Sequence, residues 1–326
     1  MKTELLKILR ETGDYISGQQ LCEHFGVSRT AVWKVIRQLK EEGYVIEGVK
    51  NKGYCIRETP DVITKEELKS RLHTVWLGQE VVYLESVDST NTQAKRLAEE
   101  GAPSGTLVIA EEQTFGKGRR GRSWTSSKGE NIMMTLMLRP QIRPEHASRL
   151  TLLMALATAK GIRKVTGLPA GIKWPNDVVV CGKKVCGILT ELSMEMEDIH
   201  YVVIGAGINV NQEHFPKELQ ETAGSLCLEL GRKISRAELA AAIIEELERI
   251  YELFLQTEDL SELCEDYNTL CVNRGHEIRV LDPGREYTGT TEGINASGEL
   301  VVQKSDGTWT TVYAGEVSVR GLYGYV

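Results

Sequence analysis

The chain has 326 residues, 41% of them hydrophobic and 26% charged, and a formal net charge of −7. That length accommodates two or three domains, and the composition is globular rather than disordered. No apolar run approaches the ~20 residues of a membrane span, no signal-peptide pattern opens the chain, and the seven cysteines include no C-x-x-C pair, so a membrane partner, a disulfide framework and a zinc ribbon are excluded and a cytoplasmic location is expected.

Residues 1–58 hold ten Lys/Arg against eight Asp/Glu, whereas the remainder holds 29 against 38. Basic character at the N-terminus suggests an anionic partner there. Leu5, Leu6, Ile8 and Leu9 predict a first helix ending near Gly13. Ser17 and Gln20 have capping-box spacing and open a second helix carrying Leu21 and Phe25. After Gly26-Val27, Ser28 caps a third helix that runs to about Glu42 and stops at Gly43. Val32, Val35, Ile36 and Leu39 form one face of it, and Arg29, Thr30, Trp33, Lys34 and Arg37 fall on the other. A hairpin follows, with strands Tyr44–Glu47 and Tyr54–Arg57 and a tip bearing Lys50 and Lys52.

This is the pattern of a winged helix-turn-helix domain over residues 1–60. A helical protein-interaction module would share the helices, but the wing lysines favour nucleic acid. The expected DNA-contacting residues are Ser28, Arg29, Thr30, Trp33, Lys34, Arg37, Lys50 and Lys52. One such module binds weakly, so the rest of the chain is expected to supply a dimer interface.

Beyond Pro60, Thr64 and Glu67 suggest another capping box and a connecting helix. A central domain is expected over 64–268. Strands are predicted at Val81–Ser86, Thr106–Ala110, Ile132–Leu138, Gly171–Trp174, Val185–Leu192 and Tyr201–Ile204, with a hairpin turning at Gly182. Helices are predicted at Thr90–Glu100, His146–Thr166 and, after a Ser235/Glu238 capping box, Arg236–Leu255. The layout is α+β with a mixed sheet rather than a βαβ series. From Cys271 onward, runs at Glu277–Leu281, Glu299–Gln303 and Thr308–Val312 alternate with turns at Pro283-Gly284, Ser297-Gly298 and Asp306-Gly307. These fit a small SH3-like β-barrel over 270–326.

The central domain contains a loop unlike the rest of the chain. Gly116 to Trp124 holds three glycines and four cations, Lys117, Arg119, Arg120 and Arg122, without an acid. Such a segment makes a poor helix and a poor core element, but its N–H groups and guanidinium forks suit a phosphate or carboxylate. Gly116, Gly118 and Gly121 also spell G-x-G-x-x-G, yet a strand rather than a helix is predicted to follow, which excludes the dinucleotide fingerprint. Three further polar clusters stand at element ends. They are Asp88-Ser89-Thr90-Asn91, Lys173-Trp174-Pro175-Asn176-Asp177, and Gly182-Lys183-Lys184 with Gly205–Asn211.

Together, D-S-T-N, G-x-G-R-x-G-R-x-W, K-W-P-N-D, G-K-K-x-x-G-I-L-x-E and G-x-G-I-N, in that order, resemble the catalytic domain of biotin–protein ligases over residues 80–215. The winged helix ahead of it resembles the bifunctional subgroup that doubles as biotin-operon repressor, and the family also carries a C-terminal SH3-like barrel. Lys117 stands where the family usually has arginine, and a lysine cannot make the same bidentate contact.

The resemblance implies ATP and Mg²⁺ as cofactors, biotin as substrate, biotinyl-5′-AMP as intermediate and a biotin carboxyl carrier domain as acceptor. It also implies operator DNA as partner and a homodimer promoted by bound adenylate. By resemblance Lys184, Arg119 and Arg122 carry catalysis. Biotin would be held by Ser89, Thr90, Asn91, Gln113, Gly116, Lys117, Gly118, Arg119, Lys184 and Gly187. The nucleotide would meet Arg119, Arg120, Arg122, Trp124, Asn176, Asp177 and Asn209, and no protein metal site is expected. A lipoate ligase is the rival within the fold. A regulator that only senses its ligand is the rival of another class, disfavoured by the retained Lys184 and loop arginines.

Overall fold

The computed structural model describes residues 1–281, 286–313 and 318–321. Its first unit is α1 (Lys2–Thr12), α2 (Gly18–Phe25) and α3 (Arg29–Glu41), followed by the hairpin β1 (Val45–Val49) and β2 (Gly53–Glu58). The Ser17/Gln20 capping box is formed, and Ser28 accepts from the Ala31 N–H at the start of α3. Leu5, Leu6, Leu9, Leu21, Val32, Ile36 and Leu39 make a closed core. Arg29, Thr30, Trp33, Lys34 and Arg37 are all exposed, as are Lys50 and Lys52 at the wing tip. Gly53 has φ +112, and a Cβ there would stand 1.9 Å from the Ile16 carbonyl oxygen. Only glycine lets the wing cross the chain entering α2 at that distance.

The connecting helix α4 is short, Lys65–Lys69. Thr64 accepts from the Glu67 N–H, but the expected reciprocal half of the box is not made. The Glu67 carboxylate turns inward, fully buried, to accept from Arg10, Arg71 and the Tyr44 hydroxyl. Two guanidinium groups outcompete one backbone N–H for a buried charge. The linker residue Asp61 is likewise tied to the central domain, accepting from the Arg236 backbone N–H at 2.9 Å and from its Nε at 3.1 Å.

The central sheet has seven strands: β3 (Val81–Leu84), β4 (Thr106–Ala110), β5 (Ile132–Leu138), β6 (Gly171–Lys173), β7 (Asp177–Val180), β8 (Lys183–Glu195) and β9 (Asp198–Ile208). Their order is β3-β4-β5-β9-β8-β7-β6, with β3 and β4 parallel and the other neighbours antiparallel. Helix α5 (Thr90–Glu99) covers one face through Ala94 and Ala98, which meet Val108, Met137 and Val203. On the other face lie α6 (Arg149–Thr166) and, after the short α7 (Leu226–Leu230), the long α8 (Arg236–Thr257). Every residue of β5 is buried, as a strand covered on both faces requires.

Helix α9 (Cys264–Leu270) leads to five antiparallel strands: β10 (Glu277–Leu281), β11 (Tyr287–Ile294), β12 (Leu300–Lys304), β13 (Trp309–Val312) and β14 (Ser318–Gly321), in the order β13-β12-β11-β10-β14. This is the SH3-like C-terminal unit, and its predicted Pro283-Gly284 turn lies outside the described residues. Trp174, from the K-W-P-N-D cluster, is a structural tie to it: its backbone N–H donates to Asn273 Oδ1 at 2.8 Å and its indole donates to the Gly298 carbonyl at 3.2 Å.

Candidate active site

The polar clusters converge on one cleft at the middle of the central sheet. One wall is the start of α5. Ser89, Thr90 and Asn91 are nearly inaccessible there, and Thr90 donates its backbone N–H to Gln113 Oε1 at 2.7 Å, with its hydroxyl 3.0 Å from the same oxygen. Gln113 follows β4 and precedes the glycine loop, so this contact fastens the loop's entry to the helix start.

The loop itself is a tight hairpin. Lys117 and Ser123 pair across it, the Gly118 N–H donates to the Arg122 carbonyl at 2.7 Å, and the Trp124 N–H returns to the Gly116 carbonyl at 2.9 Å. Arg120 takes the left-handed φ of 58° at its tip. A single 3₁₀ turn, Arg119–Gly121, lies within the loop and strand β5 comes after it, so the three glycines open no α-helix.

The floor is β8 and β9, where Gly187, Gly205 and Gly207 line the cleft. A Cβ on Gly207 would lie 2.5 Å from the Trp124 indole, and one on Gly205 would lie 2.1 Å from Asn91 Oδ1. The indole therefore rests directly on strand backbone. Among the described residues its buried Nε1 has no hydrogen-bond partner, which leaves a donor for a ligand.

Two cations face this floor. Lys184 Nζ lies 2.5 Å from Asp177 Oδ1 and 5.9 Å from the Trp124 ring centroid. Arg119 donates to Asn176 Oδ1 at 2.8 Å, and Asn176 is itself held by its donation to the Ile188 carbonyl at 3.1 Å. Burial holds the Arg119 guanidinium below its ordinary range, against the opposing pull of Asp177. Desolvated, preorganised cations of this kind act strongly on a developing anionic charge. The free volume is about 60 Å³, below the roughly 300–1,000 Å³ of typical ligand pockets, with Trp124 packed into it.

Comparison with known proteins matches this arrangement. Residues 83–209 match the Biotin/lipoate A/B protein ligase family, residues 2–55 an HTH domain and residues 275–320 the biotin protein ligase C-terminal domain. The chain is 36% identical to the bifunctional ligase/repressor BirA of Bacillus subtilis over 98% of both chains. The chain belongs to this ligase family. It is 32% identical to the BirA of Escherichia coli over 96% of this chain and 95% of that one. A biotin protein ligase from Aquifex aeolicus, solved in complex with biotin and ATP, superimposes with a TM-score of 0.66 at 28% identity, covering 74% of this chain and 99% of that one.

Of the expected ligase site residues, Ser89, Thr90, Asn91, Gln113, Lys117, Gly118, Arg119, Trp124, Asn176, Lys184 and Gly187 line the cleft. Gly116 lies just behind, where a Cβ would strike the Trp124 carbonyl at 2.3 Å. Asp177 reaches the cleft through Lys184. Arg120 and Arg122 sit exposed on the outer part of the loop, and Lys117 extends to Thr92 Oγ1 at 3.2 Å. Asn209 is placed elsewhere, its carboxamide donating to the Gly224 carbonyl at 3.0 Å. Met134, Ile188, Leu189, Gly205, Ala206 and Gly207 also line the cleft without having been singled out as ligand residues. The alternation of Gly205 and Gly207 along one strand face was the available signal.

Proposed function

We propose that this chain is an ATP-dependent biotin–protein ligase that also represses transcription from a biotin operator. The observation that carries the ligase reading is the meeting of Lys184 and Arg119 over a glycine floor, beside the Thr90–Gln113 polar wall. In the first step a biotin carboxylate oxygen attacks the α-phosphorus of ATP and pyrophosphate leaves, giving biotinyl-5′-AMP. In the second, an acceptor lysine amine attacks the anhydride carbonyl, forming the amide and releasing AMP. The first step brings two anions together, and cations fixed in place lower that barrier.

Lys184 serves the carboxylate and α-phosphate, with Asp177 holding its ammonium in place. Arg119 bridges biotin and nucleotide, and Arg120 and Arg122 close over the phosphates when the loop moves. Trp124 stacks on adenine after leaving its place on Gly207, with Asn176 on the nucleotide side. Ser89, Thr90, Asn91, Gln113 and the backbone at Gly116–Gly118 hold the bicyclic head.

Mg²⁺ belongs to this reading as a companion of the ATP phosphates, neutralising their charge. The described residues offer no cluster of three or more His, Cys, Asp or Glu. A single carboxylate, Asp177, fits a cation carried mainly by substrate oxygens.

The acceptor is a biotin carboxyl carrier domain. Ser28, Arg29, Thr30, Trp33, Lys34, Arg37, Lys50 and Lys52 form the operator-binding surface of a homodimer promoted by bound adenylate, and domains span 1–60, 64–268 and 270–326. No helix among the described residues is long and apolar enough to cross a membrane, which accords with action in the cytoplasm.

ATP–pyrophosphate exchange with Mg²⁺, run with biotin, with lipoate and with no acid, tests the reading. Exchange that requires biotin is expected. Exchange with lipoate alone assigns the chain to the sister activity, and none with either acid leaves a ligand-sensing regulator. Sedimentation giving the same dimer constant with and without biotin and ATP would refute ligand-promoted dimerisation.

A further inference from the structure

Glu191, the last residue of the G-K-K-x-x-G-I-L-x-E motif, does not line the cleft, yet a hydrogen-bonded line connects it to the cleft wall. Asn91 Nδ2 donates to Glu191 Oε2 at 2.8 Å and to the Leu189 carbonyl at 3.2 Å. Both partners can only accept, so the Asn91 carboxamide has one allowed orientation. Its Oδ1 then faces Thr135 Oγ1 at 2.7 Å and receives that hydroxyl's single proton. Thr90 Oγ1 lies 2.8 Å from Thr135 Oγ1 and 3.0 Å from Gln113 Oε1. Gln113 Oε1 is fixed as an acceptor by the Thr90 N–H, and the Thr135 proton is already committed. The Thr90 proton therefore points along the line or toward Gln113, and a lone pair faces the cleft.

Reversing the Asn91 carboxamide would turn the Thr135 proton away from it and toward Thr90. The Asn91 oxygen would then face a carboxylate and a carbonyl, which the negative charge of Glu191 opposes. Lys95 Nζ, 2.6 Å from Glu191 Oε1, is a second, partly exposed partner of that carboxylate. Burial acts to raise the Glu191 carboxyl, but Lys95 and Asn91 outweigh it and hold it below the usual carboxylate range.

We propose that Glu191 is a positioning residue that, through Asn91 and Thr135, holds the Thr90 hydroxyl at the head-group subsite, where Thr90 accepts from a biotin ureido N–H. This rests on the biotin reading above. Without Glu191 the Asn91 carboxamide loses its anchor, and the Thr135 and Thr90 hydroxyls that depend on it no longer meet a ligand N–H at a fixed place.

The test is ATP–pyrophosphate exchange by the full chain, with biotin and with its two cyclic carbamate analogues, in each of which one ureido N–H is replaced by oxygen. Glu191→Ala is expected to raise the biotin KM roughly tenfold or more, as loss of a charged hydrogen-bond partner does, and to leave the ATP KM within about twofold. On one carbamate that penalty should shrink to under about threefold, because the N–H it concerns is absent. Lys95→Met, which spares the Asn91–Glu191 contact, should stay within about threefold of wild type. If Glu191→Ala does not fold, Thr135→Val breaks the same line at its middle and must show the same biotin-selective, carbamate-sensitive rise.

Equal rises in the biotin and ATP KM values, or equal penalties on biotin and both carbamates, overturn the proposal. Wild-type protein without biotin-dependent exchange would instead overturn the ligase reading itself.

Discussion

Replacing Glu67 by leucine probes how the DNA-binding module is held to the ligase. The Glu67 side chain is fully buried. It accepts from Arg10 Nη2 at 2.6 Å, Arg71 Nε at 2.8 Å and the Tyr44 hydroxyl at 2.7 Å. Arg10 lies on α1 and Tyr44 opens the wing, whereas Arg71 follows α4. Leucine would leave two largely buried guanidinium groups without their carboxylate, at a cost of about 3–5 kcal/mol. At ~1.4 kcal/mol per decade, that shifts the docked-to-undocked equilibrium by two to nearly four decades.

Calorimetry should then show the single transition splitting, with the winged helix melting first, and proteolysis should cut near residues 59–63. The charge adds a pH signature. Burial acts to raise the Glu67 carboxyl, but Arg10, Arg71 and Tyr44 outweigh it and hold it below its ordinary 4.5. A depressed folded value means the stabilisation is present above the unfolded pKa of about 4.3 and is lost as pH falls through the folded one. Wild type should lose module docking in acid over that window, and Glu67→Leu should show no such step. A variant with one transition, less than about 1 kcal/mol of loss and an unchanged acid profile would refute the reasoning.

Three further outcomes are expected. Arg119→Gly removes the guanidinium over the cleft and should release the adenylate, so that mass spectrometry finds lysines labelled across bystander proteins; unchanged acceptor specificity would count against the loop's role. Gly207→Val puts a side chain where a Cβ already stands 2.5 Å from the indole, so Trp124 must move, and the ATP KM should rise at least about tenfold with protein fold intact by circular dichroism. Changing both Lys50 and Lys52 to alanine should weaken DNA binding on all sequences and lower the slope of log K against log salt by roughly 2, measured by fluorescence anisotropy.

Much of the winged helix was legible because its signals are local: the Ser17 and Ser28 caps, and the split of α3 into a buried Val32–Ile36–Leu39 face and an exposed Arg29–Trp33–Arg37 face. Element ends were less so. Helix α6 starts at Arg149 rather than His146, since Pro144–His146 forms a separate 3₁₀ turn. Strand β9 extends over Asp198–Ile208, well beyond Tyr201–Ile204. Its Gly205-Ala206-Gly207 stretch has low strand propensity and is held by β5 and β8 on either side. Helix α9 and strand β11 escaped notice because Cys264–Leu270 lacks an apolar period and Tyr287–Ile294 is rich in glycine and threonine.

In the site, motifs named the cations and the loop, but could not show that Asn209 turns to Gly224. Nor could spacing reveal that Glu67, placed as a cap residue would be, spends its carboxylate on a neighbouring unit. Partners a hundred positions apart, such as Asn91 and Glu191, emerge only when helix α5 lies on the sheet that contains β8.

Arg236 joins three parts of the chain at once. It is 1% exposed and contacts Asp61 in the linker, Glu111 at the end of β4 and the Asn131 carbonyl before β5. A chimaera that fuses another DNA-binding head at Pro60 would keep the ligase intact on paper while discarding Arg10 and Tyr44, the partners of Glu67. A head transplanted without matching donors for Glu67 would hang loose, however well it bound its own operator. The workable grafting frontier runs through the α1–α4 contact, and a donor head must bring an arginine and a tyrosine to it.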